Sequence, residues 1–174
     1  SDPVLSPDGA RLYFVGYSTF LICLNATDGS LIWISSQHAN NDLGNLEADA
    51  SPVLSADGAM IFLGTEKGFG GYNTNDGSVV WKDNFSGSFR SYRIMTAVVH
   101  SRGSEPVVFF GRDDWYLYAY TVRSGKRIGR FKTDDRIRST PMLHPSEAIL
   151  YIGGTDREFR AVRFNLETLV DTRS

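Results

Sequence analysis

An internal repeat constrains this chain more than any other feature of its sequence. The segment Pro3-Val4-Leu5-Ser6-Pro7-Asp8-Gly9-Ala10 returns 49 residues later as Pro52-Val53-Leu54-Ser55-Ala56-Asp57-Gly58-Ala59. Asp28-Gly29-Ser30-Leu31-Ile32-Trp33 returns 48 residues later as Asp76-Gly77-Ser78-Val79-Val80-Trp81. Two further, more divergent copies keep the glycine that follows the second apolar run: Gly16, Gly64, Gly111 and Gly153 are spaced 48, 47 and 42 residues apart. The third copy also keeps Ser124-Gly125 in the later turn, with Gly129 at the tryptophan position. The fourth, Phe164-Asn165-Leu166-Glu167-Thr168-Leu169, has lost both the glycine and the tryptophan. Self-similarity at a period of about 20 to 50 residues marks stacked units, each unable to bury its apolar surface alone.

Within the first copy, turn chemistry divides the chain into four short strands. Pro3-Val4-Leu5 precedes Pro7-Asp8-Gly9, where Asp-Gly suits the positive φ of a tight hairpin. Two runs rich in β-branched and aromatic residues follow, Leu12 to Val15 and Phe20 to Leu24. Thr27-Asp28-Gly29 then turns the chain into Leu31-Ile32-Trp33-Ile34. No window shows a helical apolar stripe. Four antiparallel strands per unit of about 40 to 50 residues is the make-up of a propeller blade. The expected fold is therefore all-β, with blades over approximately 1–46, 47–92, 93–136 and 137–174 of one propeller segment, 1–174.

Composition describes a globular chain: 41% hydrophobic and 22% charged residues, with a pI near 5.9. No stretch approaches the roughly 18 apolar residues of a membrane-spanning helix. Ser1-Asp2-Pro3 shows no signal-peptide pattern, which leaves open a leader already removed. The net charge of -2 conceals an asymmetry, for residues 1–87 hold ten acidic and three basic side chains and residues 88–174 ten and fifteen. Most of the excess lies in one run, Arg123, Lys126, Arg127, Arg130, Lys132, Arg136 and Arg138, against Asp134 and Asp135.

Leu24-Asn25-Ala26-Thr27-Asp28-Gly29-Ser30-Leu31-Ile32-Trp33 resembles the repeat of the pyrroloquinoline-quinone (PQQ) quinoproteins, where Ala-Leu-Asp leads through Thr-Gly and two apolar residues to Trp. Gly111-Arg112-Asp113-Asp114-Trp115-Tyr116-Leu117-Tyr118-Ala119-Tyr120 resembles the Gly-x-Asp-x-x-Leu-Tyr-Ala stretch of the same family. The resemblance covers nearly the whole chain and implies a quinoprotein-like β-propeller in an extracytoplasmic setting, periplasm or organelle lumen. In it, Trp33 and Trp81 would be docking residues laid over the adjacent blade, with Gly16, Gly29, Gly64, Gly77, Gly111, Gly125 and Gly153 as structural repeat positions. Family propellers have six to eight blades. An open arc of four would leave two apolar blade faces exposed, so a longer chain, or a ring completed by a second copy or another subunit, is expected over closure of four blades alone.

Candidate chemistry is sparse. A quinoprotein dehydrogenase would hold the quinone at the axis beside a calcium and a catalytic Asp, often with a vicinal Cys pair, which the single Cys23 excludes. Asp113-Asp114 is the best carboxylate cluster, but it stands at ordinary loop positions of the repeat. His100 and His144 share a register in the first turns of consecutive blades, read as solvated and too far apart for a zinc, whose bonds are near 2 Å. His38 is isolated. Gly68-Phe69-Gly70-Gly71 lacks the strand-then-helix context of a phosphate loop. The sequons at Asn25 and Asn84 occur at about the frequency of chance. Nucleic acid is not indicated, given the acidic pI.

The expected function is a non-catalytic scaffold or protein-interaction module, a segment or subunit of a larger assembly, with no cofactor. The run Arg123 to Arg138 is its possible partner-binding element, although alternation of charges with Ile128 and Phe131 also protects an outer edge from aggregation. The alternatives are a piece of a PQQ- and calcium-dependent dehydrogenase and a luminal or periplasmic sensor.

Overall fold

The computed structural model describes residues 2–16, 21–35, 50–65, 68–85, 94–101, 105–165 and 169–171; His38 lies outside them. The described residues contain sixteen strands and no helix. They form four sheets, each of four consecutive strands paired antiparallel in chain order. Blade 1 consists of β1 (Val4–Leu5), β2 (Arg11–Val15), β3 (Leu21–Asn25) and β4 (Leu31–Ile34). Blade 2 consists of β5 (Val53–Leu54), β6 (Met60–Thr65), β7 (Gly68–Asn73) and β8 (Val79–Asn84). Blade 3 has β9 (Val98–His100), β10 (Val107–Gly111), β11 (Tyr116–Thr121) and β12 (Arg127–Lys132), and blade 4 has β13 (Met142–Leu143), β14 (Ile149–Gly153), β15 (Phe159–Phe164) and β16 (Leu169–Asp171).

Local chemistry sets these turns. Between β1 and β2, the Ser6 hydroxyl donates to the Asp8 carboxylate, which accepts the amide of Ala10, while the Ser6 oxygen accepts the amide of Arg11. Ser55, Asp57, Ala59 and Met60 repeat that arrangement in blade 2. Between the third and fourth strands, Asp28 and Asp76 bind the amide and hydroxyl of Ser30 and Ser78. A bulge recurs at one place in three blades, at Cys23/Leu24, Gly71/Tyr72 and Ala119/Tyr120.

The blades pack face to face, with β9 lying against both β5 and β13. Three apolar cores fill the boundaries. Tyr13, Leu21 and Cys23 meet Ile61, Leu63 and Tyr72 between blades 1 and 2. Phe62 and Phe69 meet Phe110, Tyr118 and Tyr120 between blades 2 and 3. Phe109 and Leu117 meet Leu150, Val162 and Phe164 between blades 3 and 4. Burying one such side chain stabilises the fold by about 1.5 to 3 kcal/mol, so these boundaries hold the arc together. Strands β6 and β10 are buried along their full length, whereas β4 is largely exposed.

Among the described residues no fourth core joins blade 4 to blade 1. Blade 1 turns Leu5, Leu12, Phe14, Ile22, Leu24, Leu31 and Ile34 away from blade 2, as its strand registers require. Blade 4 turns Met142, Tyr151, Phe159 and Ala161 away from blade 3. These are the positions that neighbouring blades cover elsewhere. Phe159 is 66% exposed, while its register equivalents Phe69 and Leu117 are 1% and 0% exposed.

The registers correct one detail of the sequence reading. Val15, not Gly16, pairs with Leu21 as Gly64 pairs with Phe69 and Gly111 with Leu117, so Gly16 stands one residue past the repeat position. The strand expected over Phe20 to Leu24 is described over Leu21–Asn25, and Phe20 lies outside the described residues. Gly68-Phe69-Gly70-Gly71, set aside above as a phosphate loop, forms the start of β7, where the Met60 methyl and the Trp81 ring crowd Gly71.

Candidate interaction surface

The outermost strands carry the links between blades. Trp33 on β4 donates its indole N–H to the carbonyl of Thr74 in blade 2 at 3.1 Å, and Trp81 on β8 donates to Val122 in blade 3 at 2.8 Å. Each indole lies on a glycine three residues beyond its acceptor, Gly77 or Gly125, with φ of 71° and 65°. A side chain at either glycine would collide with the ring. Trp81 also stacks on Tyr120 at 5.9 Å and 10°, and Tyr120 donates its hydroxyl to Asp83 at 2.7 Å. Burial, with Asp83 beside it, pushes the Tyr120 phenol far above its ordinary value. At the third boundary, where Gly129 replaces the tryptophan, Phe164 packs on Phe109 with ring centroids 4.6 Å apart.

The loops opposite the Asp-Gly turns carry a set of ion pairs. Arg112 meets Asp114 at 2.7 Å, both largely buried, and Asp114 also accepts the Tyr118 hydroxyl at 2.6 Å. Burial first, then that carboxylate, pushes the Tyr118 phenol up to about 12. Asp113 is held by Arg138 at 3.2 Å. Arg160 bridges Asp156 at 2.6 Å and Asp134 at 2.9 Å, tying blade 4 to the link that enters it. Both carboxylates of the Asp113-Asp114 cluster are thus engaged by arginines. Among the described residues no group of three or more His, Cys, Asp or Glu is placed to hold a metal ion.

The hairpins β10–β11 and β14–β15 share one turn. Asp114 and Asp156 accept the amides of Tyr116 and Glu158, and the residues between, Trp115 and Arg157, adopt φ of 75° and 65°. Left-handed backbone is uncommon outside glycine. Spacing held a signal for this network: an Asp stands three residues after Gly111 and after Gly153.

The basic run does not form one patch. Arg123 and Lys126 occupy the β11–β12 turn at one end of blade 3, and Arg136 and Arg138 the link at the other. Between them Arg127, Arg130 and Lys132 are exposed along β12. Arg130 stacks on Tyr116 at 4.2 Å, and the Lys132 ammonium lies 5.9 Å from the Trp115 ring centre. The result is a cationic, aromatic-backed outer edge.

His100 and His144 are both half-buried, not fully solvated. His100 sets its ring edge-on to Phe164 at 5.0 Å, and the His144 Nδ1 accepts the Glu147 amide at 3.0 Å. Cys23 is fully buried, which pushes its thiol up. A groove of about 270 Å³ between blades 1 and 2 is lined by Ser6, Asp8, Arg11, Asp57, Thr74 and Asn75. Arg11 spans it to the Thr74 carbonyl.

No family model matches this chain, and no curated protein matches it. Solved structures do. BamB from Moraxella catarrhalis superimposes with a TM-score of 0.67 at 17% identity, over 97% of this chain and 47% of that one. The WD40 domain of SCAP from fission yeast superimposes with a TM-score of 0.68 at 9% identity, over 99% of this chain and 43% of that one. WD40 domains are rings of four-stranded antiparallel blades. The fold is a β-propeller. This propeller chain spans less than half the length of each of these two structures.

Proposed function

We propose that the chain is a non-catalytic scaffold, a four-blade part of a larger propeller of the PQQ-repeat type that binds protein. One observation carries this reading: both outward blade faces repeat, position for position, the apolar faces that the inner blades bury. Soluble proteins rarely leave such a patch open. The exposed cations along β12, Arg127, Arg130 and Lys132, are the edge that would meet an acidic protein segment, with Arg123 and Lys126 at one end of it and Arg136 and Arg138 at the other. Their backing by Tyr116 and Trp115 suits an interface, where aromatic and arginine side chains are enriched.

Paired native and denaturing mass spectra of the protein from its source test this. A native particle well above 19.3 kDa is expected, whether from a longer chain or from added subunits. A lone native monomer of that mass would overturn the larger ring.

A further inference from the structure

Each sheet ends on its fourth strand, whose outer edge pairs with no other strand among the described residues. These four edges differ in charge. Strand β4 reads Leu-Ile-Trp-Ile with no charge, β8 mixes Lys82 with Asp83, and β16 ends on Asp171. Strand β12 alone carries cations without an acid, and its Arg127, Arg130 and Lys132 are all exposed. Register sets the three in one row. Lys132 pairs with Tyr116, Arg130 with Tyr118 and, across the bulge at Ala119/Tyr120, Arg127 with Tyr120. Successive residues of a strand point to opposite faces, so Arg127 and Arg130 would be parted if the strand were regular. The extra residue, Ile128, brings them onto one face. Neighbouring rings hold two of the cations in place, with Arg130 4.2 Å above Tyr116 and the Lys132 ammonium 5.9 Å from the Trp115 ring centre. None of the three forms an ion pair among the described residues. The Asp83 carboxylate, from blade 2, is taken by the Tyr120 hydroxyl.

The backbone of the same residues faces outward. The Thr133 amide donates to the Trp115 carbonyl at 2.9 Å, which makes Trp115 and Thr133 a directly bonded pair. Bonded and unbonded pairs alternate along an antiparallel ladder. Phe131 therefore bonds inward to Leu117, while Arg130 and Lys132 turn their N–H and C=O groups away from β11. No other backbone group reaches them among the described residues.

We propose that β12 takes an acidic, extended protein segment as a fifth strand of blade 3, with carboxylates at alternate positions of that segment. The inference rests on the reading above that this edge meets an acidic protein segment, and it adds the mode of binding. Backbone bonds at Arg130 and Lys132 hold the segment, as in other strand additions at a sheet edge. Its residues opposite Arg130 and Lys132 stand two apart and on the face of the cations, so its acidic side chains recur with a period of two. Like charges along an edge repel a second copy of the same strand. The row that blocks self-pairing thus selects a partner of opposite sign.

The test titrates the whole protein into fluorescein-labelled peptides and follows polarisation at low salt. One peptide alternates glutamate with threonine, and a second has the same composition in two blocks. The alternating peptide should bind about tenfold tighter or more. Methylating every second backbone amide of that peptide should abolish binding for one of the two alternate sets and spare it for the other, because only one set points at β12. This comparison needs no variant. Arg130→Glu should weaken the acidic peptide about tenfold and shift preference to a peptide alternating lysine with threonine. If the alternating and blocked peptides bind alike and neither methylation matters, contact is by charge alone; strand addition then falls while the acidic-segment reading stands. Failure of the unaltered protein to take either acidic peptide in preference to the lysine peptide or to heparin overturns both.

Discussion

Trp81 and Gly125 meet across the boundary of blades 2 and 3 so closely that a Cβ on the glycine would stand 2.3 Å from the indole Cδ2. Two penalties therefore coincide at one residue, left-handed backbone and a collision with a ring that is itself stacked. Gly9 shares the backbone, at φ 73°, without the contact. Gly9→Ala should cost about 1 kcal/mol. Gly125→Ala should cost roughly 1 to 3 kcal/mol more, read from urea unfolding midpoints of the two variants.

The two docking tryptophans are not equivalent in their surroundings. Trp81 packs within 6 Å of Phe62, Phe69 and Tyr120, whereas Trp33 has Tyr13 at 5.9 Å. Trp81→Ala should cost about 3 to 5 kcal/mol. Trp33→Ala should cost less by about 1 kcal/mol or more, the worth of the missing ring pairs. Equal losses in paired denaturant titrations would contradict this assignment.

Acid should weaken the turns in concert. The hydroxyls of Ser6, Ser30, Ser55 and Ser78 hold Asp8, Asp28, Asp57 and Asp76 below the usual carboxylate value of 3.8, aided by backbone amides. A depressed folded value means that each contribution is complete above the unfolded value and is lost as pH falls through the folded one. Replacing Ser30 and Ser78 by alanine together should lower stability near neutral pH. It should also flatten the loss between about pH 4 and pH 2, followed as thermal midpoint against pH.

Asp114 is the acceptor for two buried donors, the Arg112 guanidinium and the Tyr118 hydroxyl. Asp114→Ala leaves the cation with less compensation beneath Phe85, whose ring lies 4.2 Å from it. A loss of about 3 to 5 kcal/mol is expected, the usual scale for removing one partner of a buried pair. Asp135→Ala, whose carboxylate only accepts the neighbouring Arg136 amide, should change stability by less than about 0.5 kcal/mol. Calorimetry of the two variants separates them.

The sheets were legible because their turns are chemically demanding. Asp-Gly and Asp-Gly-Ser tolerate few replacements where the backbone turns left-handed, so their recurrence at 48 and 49 residues exposed the period. Gly16 misled because a single residue of difference in the first β2–β3 connection shifts the count without moving the strands. The joints at Trp33 and Trp81 could be anticipated from register, but not the acceptors, which depend on how neighbouring blades stack. The pairs of Arg138 with Asp113 and Arg160 with Asp134 were hidden for a related reason. Their partners stand 25 and 26 residues apart, on different elements, and no local pattern couples them.

Every strand ladder closes within one stretch of consecutive residues, and among the described residues no strand of one sheet pairs with a strand of another; the sheets meet through side chains and through the links between them. Backbone pairing and blade stacking are therefore separable events. In residues 1–174 taken alone, an end sheet can open without breaking one amide bond of the strands in its neighbour, so amide exchange of that piece should be graded along the arc. Protection would be highest in β6, β7, β10 and β11 and lowest in β1 and β4, since cooperativity in such an array is set by its interfaces. In residues 1–174 taken alone, the row of blades would act as hinged panels, and the boundary between Phe69 and Phe110 would be the last to part.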